Sequence, residues 1–281
     1  MNLNRKAMLV GLSISQWGAN RQDKGAGKRV SDDYGNQQDS ARVYKSLIAK
    51  DAIKKVSTVA NEARTFLYAN TLPWKDDGKR ILPAANFLPL TAEIRTLEAK
   101  FWGAVSDLEA NYPSLVQDAK LMLNGLFNAL DYPKVEEIRE KYAFSVSVDP
   151  LPTGDDFRVD LQGEEVTKIQ KEIEDRLQNA TQDAMRELWG RLYKATESMV
   201  DRLSDPEAIF RDSLITNLEE LVSILPRLNM TDDPELEKMR REVEEKLIKD
   251  PAVLRTDKDE RKQTADEAKA ILDSMAAFMG Q

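Results

Sequence analysis

The chain has 281 residues, 41% hydrophobic and 32% charged, with a net charge of −8; that balance suits long helices washed by solvent. It contains neither cysteine nor histidine, which excludes disulfides, thiolate nucleophiles and cysteine-ligated metal sites and removes the usual general base near neutral pH. No apolar run approaches the roughly 20 residues of a membrane span and no charged-then-apolar leader opens the chain, so a soluble cytoplasmic protein is expected.

Met8–Trp17, MLVGLSISQW, sets Leu12 and Ile14 against Ser13 and Ser15 and predicts a strand. The stretch QWGANRQDKGAGKRVSDDYG, residues 16–35, reads as a glycine-rich basic loop. From about Gln38 to Ala69 the apolar residues Val43, Leu47, Val56, Ala60, Ala63 and Leu67 recur at helical spacing. Pro73, Gly78, Pro83 and Pro89 break that pattern. A second helix is expected over about Thr91–Asn111, where Ile94, Leu97, Phe101, Val105 and Leu108 step by three and four. Pro113 is expected to start a third helix and Pro133 a short fourth.

Phe144–Val148 and Phe157–Leu161 alternate on either side of a turn and predict a hairpin. An isolated hairpin is marginal in water. Met8–Trp17 is therefore expected to join it in a three-stranded antiparallel sheet. From Glu164 to about Leu203 the apolar residues are spaced by three and four over forty residues, roughly 60 Å of helix. Such a coiled-coil-like seam needs a partner, from this chain or from another copy. Helices over about 206–225 and 234–249 each begin with a Ser or Asp cap and a proline at the first helical position. A last helix covers about 258–279. No repeat of 20–50 residues is seen. The expected fold is mostly α, of the α+β kind. It is a single elongated domain, with a sheet-containing end from 1–35 and 143–163 and a helical bundle around the spine helix.

The basic stretch fails the known phosphate-binding patterns. Counting back from Gly27-Lys28, the first glycine of a Walker loop falls on Gln22 and its hydroxyl residue on Arg29. Gly18, Gly25 and Gly27 also miss the dinucleotide spacing. Two readings remain. Arg21, Lys24, Lys28 and Arg29 contact nucleic-acid phosphates, with Trp17 or Tyr34 stacking on a base. Alternatively the stretch is a connector, or a loop that orders against another subunit.

Thr71–Pro83, TLPWKDDGKRILP, is the other unusual segment. A proline-bounded loop carrying Trp74, Lys75, Asp76, Asp77, Lys79 and Arg80 suits a partner-binding anchor. Equally, Trp74 plugs the core where two helices part. Asp76 and Asp77 alone do not define a divalent-cation site. Trp102 and Trp189 sit in helical patterns and read as helix–helix contacts. No catalytic set, metal-ligand spacing or cofactor motif is found.

Charge is unevenly placed. Residues 1–60 hold eleven Lys/Arg and five Asp, so this segment is +6 and the remainder −14. Such asymmetry marks an anion-binding end, or a basic end that docks on the acidic part of a neighbouring copy.

Three segments resemble one family in the same order: LVGLSISQWGANRQDK near the start, TLPWKDDGKRILP in the middle, and LPRLNMTDDPELEKMRREVEEKL with LRTDKDERK near the end. The family is a group of uncharacterised proteins carried by bacteriophages and some bacteria. Its members are encoded near a MoxR-type AAA ATPase and a von Willebrand factor A-domain protein. The resemblance implies a phage accessory role in the host cytoplasm, with one of those two proteins as partner, and transfers no catalytic residue. The expectation is a non-enzymatic protein that self-associates or binds a partner. The alternative is sequence-tolerant binding of single-stranded nucleic acid in phage recombination or replication.

Overall fold

A computed structural model describes residues 5–35, 41–74, 78–154, 163–205 and 207–279. In chain order the first elements are β1 (Ala7–Ser15), β2 (Asn20–Gln22), α1 (Lys24–Asp33), β3 (Tyr44–Ser46), α2 (Lys50–Ala69), β4 (Leu72–Pro73) and β5 (Lys79–Pro83). They are followed by α3 (Phe87–Leu123), α4 (Val135–Ile138), β6 (Ala143–Pro150) and α5 (Gly163–Leu203). The last are α6 (Ser213–Leu228), α7 (Pro234–Leu247), α8 (Pro251–Thr256) and α9 (Lys258–Met279). Among the described residues the protein is mostly helical, with a small antiparallel sheet and the long helix α5 as expected; a two-stranded pair, β2–β3, and a second long helix, α3, accompany them.

The sheet differs from the expected one. It has four strands in the order β4-β5-β1-β6, not three. The expected strands at 8–17 and 144–148 correspond to β1 and β6. Phe157–Leu161 lies outside the described residues. The added strands come from Thr71–Pro83, which is a hairpin rather than a loop. Leu72 faces Ile81 and Pro73 faces Arg80, and β5 pairs antiparallel with Ala7–Gly11 of β1. Pro73 is tolerated because β4 is an edge strand, where a missing N–H breaks no ladder. β6 comes so close to β1 at Gly11 that an added Cβ would lie 2.8 Å from Ser147 Oγ.

Four other expectations are corrected. Residues 24–33 are helix α1, not loop. Asp23 caps it, accepting from the Ala26 amide at 2.9 Å. Residues 41–43 pass so close that a Cβ at Gly27 would sit 3.1 Å from the Ala41 carbonyl. Cap and close approach together outweigh the poor helix propensity of two glycines. Next, α2 begins at Lys50 and not near Gln38. Tyr44–Ser46 instead pairs antiparallel with Asn20–Gln22. Third, α3 runs unbroken through Pro113. The proline faces solvent, while Tyr112 and Ala119 are buried on the opposite side and hold the helix together. Fourth, α6 begins at Ser213 rather than near 206, and Phe210 enters the core on the non-helical segment before it. Pro206 is outside the described residues.

α7 begins as its sequence predicts. Asp233 Oδ1 accepts from the Glu235 and Leu236 amides at 3.0 and 3.2 Å, and Pro234 occupies the first turn. The same device recurs unforeseen at Asp250-Pro251, where it opens the short α8.

The chain divides into two compact units. The first comprises Met1–Gly11, Tyr68–Leu90 and Ser147–Gln281; the second comprises Leu12–Leu67 and Thr91–Val146. In the first unit, Leu188, Leu192, Met199 and Leu203 of α5 share a core with Leu218 and Val222 of α6, Leu236 and Val243 of α7, and Ala268 and Met275 of α9. The long seam thus finds its partner within its own chain from Ala180 onward, while Val166, Ile169 and Ile173 remain only half-buried. Trp189 Nε1 donates to Asp233 Oδ2 at 2.9 Å, so one carboxylate both caps α7 and anchors the indole.

In the second unit, α2 buries Val56, Ala60, Ala63 and Leu67, and α3 buries Ile94, Leu97, Phe101 and Val105. Lys55 and Asp107 form an ion pair between the two helices. Phe101 meets Trp102, Tyr142 and Phe144 with ring centroids 5.3, 6.2 and 5.5 Å away. Burial pushes the Tyr142 hydroxyl up to about 12.

Candidate functional site

The tightest group of charges lies in the second unit. Lys45 is only 8% exposed. Its Nζ sits 2.8 Å from Asp131 and 3.6 Å from Asp23, and donates to the Leu126 carbonyl at 2.6 Å. Arg21 Nε approaches Asp131 from outside at 3.5 Å. Tyr132 closes the group, its hydroxyl donating to the Leu47 carbonyl at 2.8 Å. The β2–β3 pairing sets Arg21 opposite Lys45. Arg21, Asp23, Lys45 and Asp131 line an open cavity of about 500 Å³ together with Lys24 and Asn128.

The electrostatics are those of a clasp. The hydrogen bond to Asp131 pushes the Lys45 ammonium up. The Ala26 amide holds the Asp23 carboxyl below its usual range, aided by Lys45. The ammonium sits between two carboxylates and a carbonyl, all of them partners of its charged form. Its chemical output is to fasten α1 and the 129–131 turn to β3. Sequence reading overlooked Lys45, Asp23 and Asp131, since only pairing across 81 or more residues joins Lys45 to the 126–131 segment.

The structure separates the four basic residues of the opening stretch. Arg21 and Lys24 line the cavity. Lys28 and Arg29 lie further along α1, outside that lining. Lys24, Lys28 and Arg29 are all exposed, and none forms an ion pair among the described residues. Trp17 makes an edge contact with Tyr112 at 5.9 Å.

The Thr71–Pro83 hairpin uses its side chains internally. Trp74 is half-buried and packs against the core of the first unit. Lys79 pairs with Asp149 at 3.2 Å. The Arg80 guanidinium lies 4.3 Å from the centre of the Tyr68 ring and donates to Thr71 Oγ1 at 2.7 Å. Burial, with Arg191 nearby, pushes Arg80 down from its usual value. Lys75, Asp76 and Asp77 are outside the described residues.

A third feature was not foreseen. At the end of α3 the chain leaves helical geometry through Asn124, with φ at 44°, and makes two 3-10 turns, 124–126 and 129–131. Leu121 (82%) and Met122 are exposed in the last turn of α3, and Leu126 and Leu130 (91%) in the turns that follow, all within ten residues. In sequence, LMLNGLFNAL reads as the apolar face of a continuing helix. The turns that carry Leu126 and Leu130 begin at one left-handed residue, Asn124.

Among the described residues, no group of three or more carboxylates is arranged to hold a metal ion, and no helix is long and apolar enough to cross a membrane. Comparison of the chain with known protein families, curated proteins and solved structures yields no match.

Proposed function

We propose that this chain works by binding protein, and that its first partner is a second copy of itself. The reading rests on the four large apolar side chains exposed between Leu121 and Leu130. Exposed apolar clusters of this kind mark interaction surfaces. A two-fold axis lets such a patch cover itself, because the same residues meet from both sides. The +6 and −14 division of the sequence adds attraction between unlike parts of neighbouring copies. Lys45, the most enclosed ammonium of the second unit, is engaged as a clasp between Asp131 and Asp23.

Light scattering on the full chain tests this. A mass above the 31.8 kDa of one chain is expected. Replacing Leu121 and Leu130 together by serine is expected to weaken association on the order of a hundredfold, with helical circular dichroism unchanged. A wild-type mass of one chain at every concentration sinks the proposal. The family resemblance extends it to an accessory protein of bacteriophages, with a MoxR-type AAA ATPase or a von Willebrand factor A-domain protein as the further partner.

A second reading has its own observation. Lys24, Lys28 and Arg29 stand exposed along α1 with no ion pair among the described residues, a cationic strip suited to a nucleic-acid backbone. Anisotropy of a labelled single strand is expected to show binding that weakens as salt rises. Triple replacement by alanine is expected to reduce the log–log salt slope by about 2. A strand that stays unbound at low salt removes this reading.

A further inference from the structure

We infer that the groove between α5 and α6 in the first unit receives an amphipathic helix with an acidic polar face, presented by another protein. The groove encloses about 690 Å³. Its floor is apolar, made by Phe210, Leu214 and Leu218. Its charged lining residues, among those described, are all cations: Lys194 and Arg202 from α5, and Arg211 from the segment before α6. None of the three forms an ion pair among the described residues. Other arginines of this unit, Arg191, Arg240, Arg241 and Arg255, are each paired with a carboxylate. Three uncompensated cations around an apolar floor define the complement. It has carboxylates at the edges and large apolar side chains between them.

The groove is built in advance. Arg261 of α9 donates to the carbonyls of Asp205 and Ala208 at 2.6 and 2.8 Å. Arg255 reaches the carbonyl of Phe210 at 3.3 Å. Both guanidiniums lie over the Phe210 ring, at 5.0 and 5.4 Å from its centre. The wall that carries Ile209 and Arg211 is thus pinned from behind. Ile209 itself is 92% exposed. An isoleucine held outward beside a cationic groove offers a contact to whatever lies in it. Two neighbouring helices present the ridges into which a third packs, the helix-in-groove mode of recognition. A nucleic-acid backbone would use the cations and leave the floor and Ile209 unused.

The test uses the full chain and three labelled probes. One is a peptide of about five helical turns with leucines at helical spacing and glutamates on the polar face. The second is its twin, with lysine for every glutamate. The third is a single-stranded thymidine oligonucleotide. The acidic peptide is expected to bind and its lysine twin to fail. The K194E/R211E double variant is expected to weaken binding at least about tenfold, and Ile209→Ser severalfold. All these side chains are exposed, and an unchanged melting curve certifies the fold. Absence of binding by the acidic peptide overturns the proposal, as does equal binding of both peptides. Oligonucleotide binding lost in K194E/R211E would give the groove to nucleic acid instead. Loss of self-association in that variant would give it to a second copy. The self-association reading rests on Leu121–Leu130, so either inference can fail while the other stands.

Discussion

Replacement of Arg261 by alanine is expected to lower folding stability by about 4 kcal/mol. Arg261 is 7% exposed and aims its guanidinium at the carbonyls of Arg202, Leu203, Asp205 and Ala208. The first two belong to the last turn of α5, whose carbonyls have no intrahelical donor. A positive group at that end also meets the negative pole of the helix. Alanine removes the donors and leaves the acceptors enclosed, and an unmet buried polar group costs its desolvation in full. Chemical denaturation measures the loss. Arg261→Lys keeps the charge but not the planar fork, so it should recover only part of the stability. Arg255→Ala is the control: its ion pair with Asp212 is exposed, and its removal should change stability by about 1 kcal/mol or less. An Arg261→Ala loss no larger than that of the control would refute the capping role.

Phe101→Ala should cost a similar amount, about 4 kcal/mol, in the second unit. Phe101 is fully buried and is the common neighbour of Trp102, Tyr142 and Phe144. The substitution removes a phenyl ring, its edge-on contacts with Trp102 and Tyr142 and its tilted contact with Phe144. The void cannot collapse easily, because Phe144 belongs to β6, Tyr142 directly precedes it, and Trp102 is held from outside by Arg139, 4.7 Å from its ring centre. Phe101→Leu keeps most of the volume and should lose about 1.5 kcal/mol or less. Trp102 fluorescence gives a local readout of the same change. A leucine variant as stable as the wild type would show that the aromatic ring contributes no more than its bulk, and an alanine variant as stable as the leucine one would refute the packing role of Phe101.

These two sites differ in how far the sequence foretells them. Phe101 sits at a helical spacing with Ile94, Leu97 and Val105, so its burial follows from periodicity alone. The long helix was equally legible: its expected start at Glu164 and end near Leu203 match α5 within a residue. Asp233-Pro234 announced α7 because cap and proline act within one turn of chain. Arg261 could not be read this way. Its acceptors lie 53 to 59 residues away, and an arginine in a charged run looks the same whether it caps a helix or faces water. The clasp at Lys45 was hidden for the same reason.

Helix α1 was missed on local grounds. Glycines at 25 and 27 argue for a loop, and only the passage of residues 41–43 over Gly27 turns them into an asset. The hairpin β4–β5 was missed because prolines at 73 and 83 mask a short run whose partner, β1, is some seventy residues distant. The candidate site residues of that segment were legible as unusual. Their use was not: Trp74, Lys79 and Arg80 are engaged within the first unit.

The division into units falls inside regular elements and not in connecting loops. The chain changes unit after Gly11, Leu67, Leu90 and Val146, which are positions within β1, α2, α3 and β6. No contiguous stretch of the gene therefore encodes either unit. A C-terminal fragment from Ser147 onward would lack Leu9, Leu72 and Ile81, three members of the core it must close. Truncation is thus the wrong tool for assigning activities to halves of this molecule. Circular permutation, or point substitutions confined to one unit, would keep both cores whole while the surfaces are dissected.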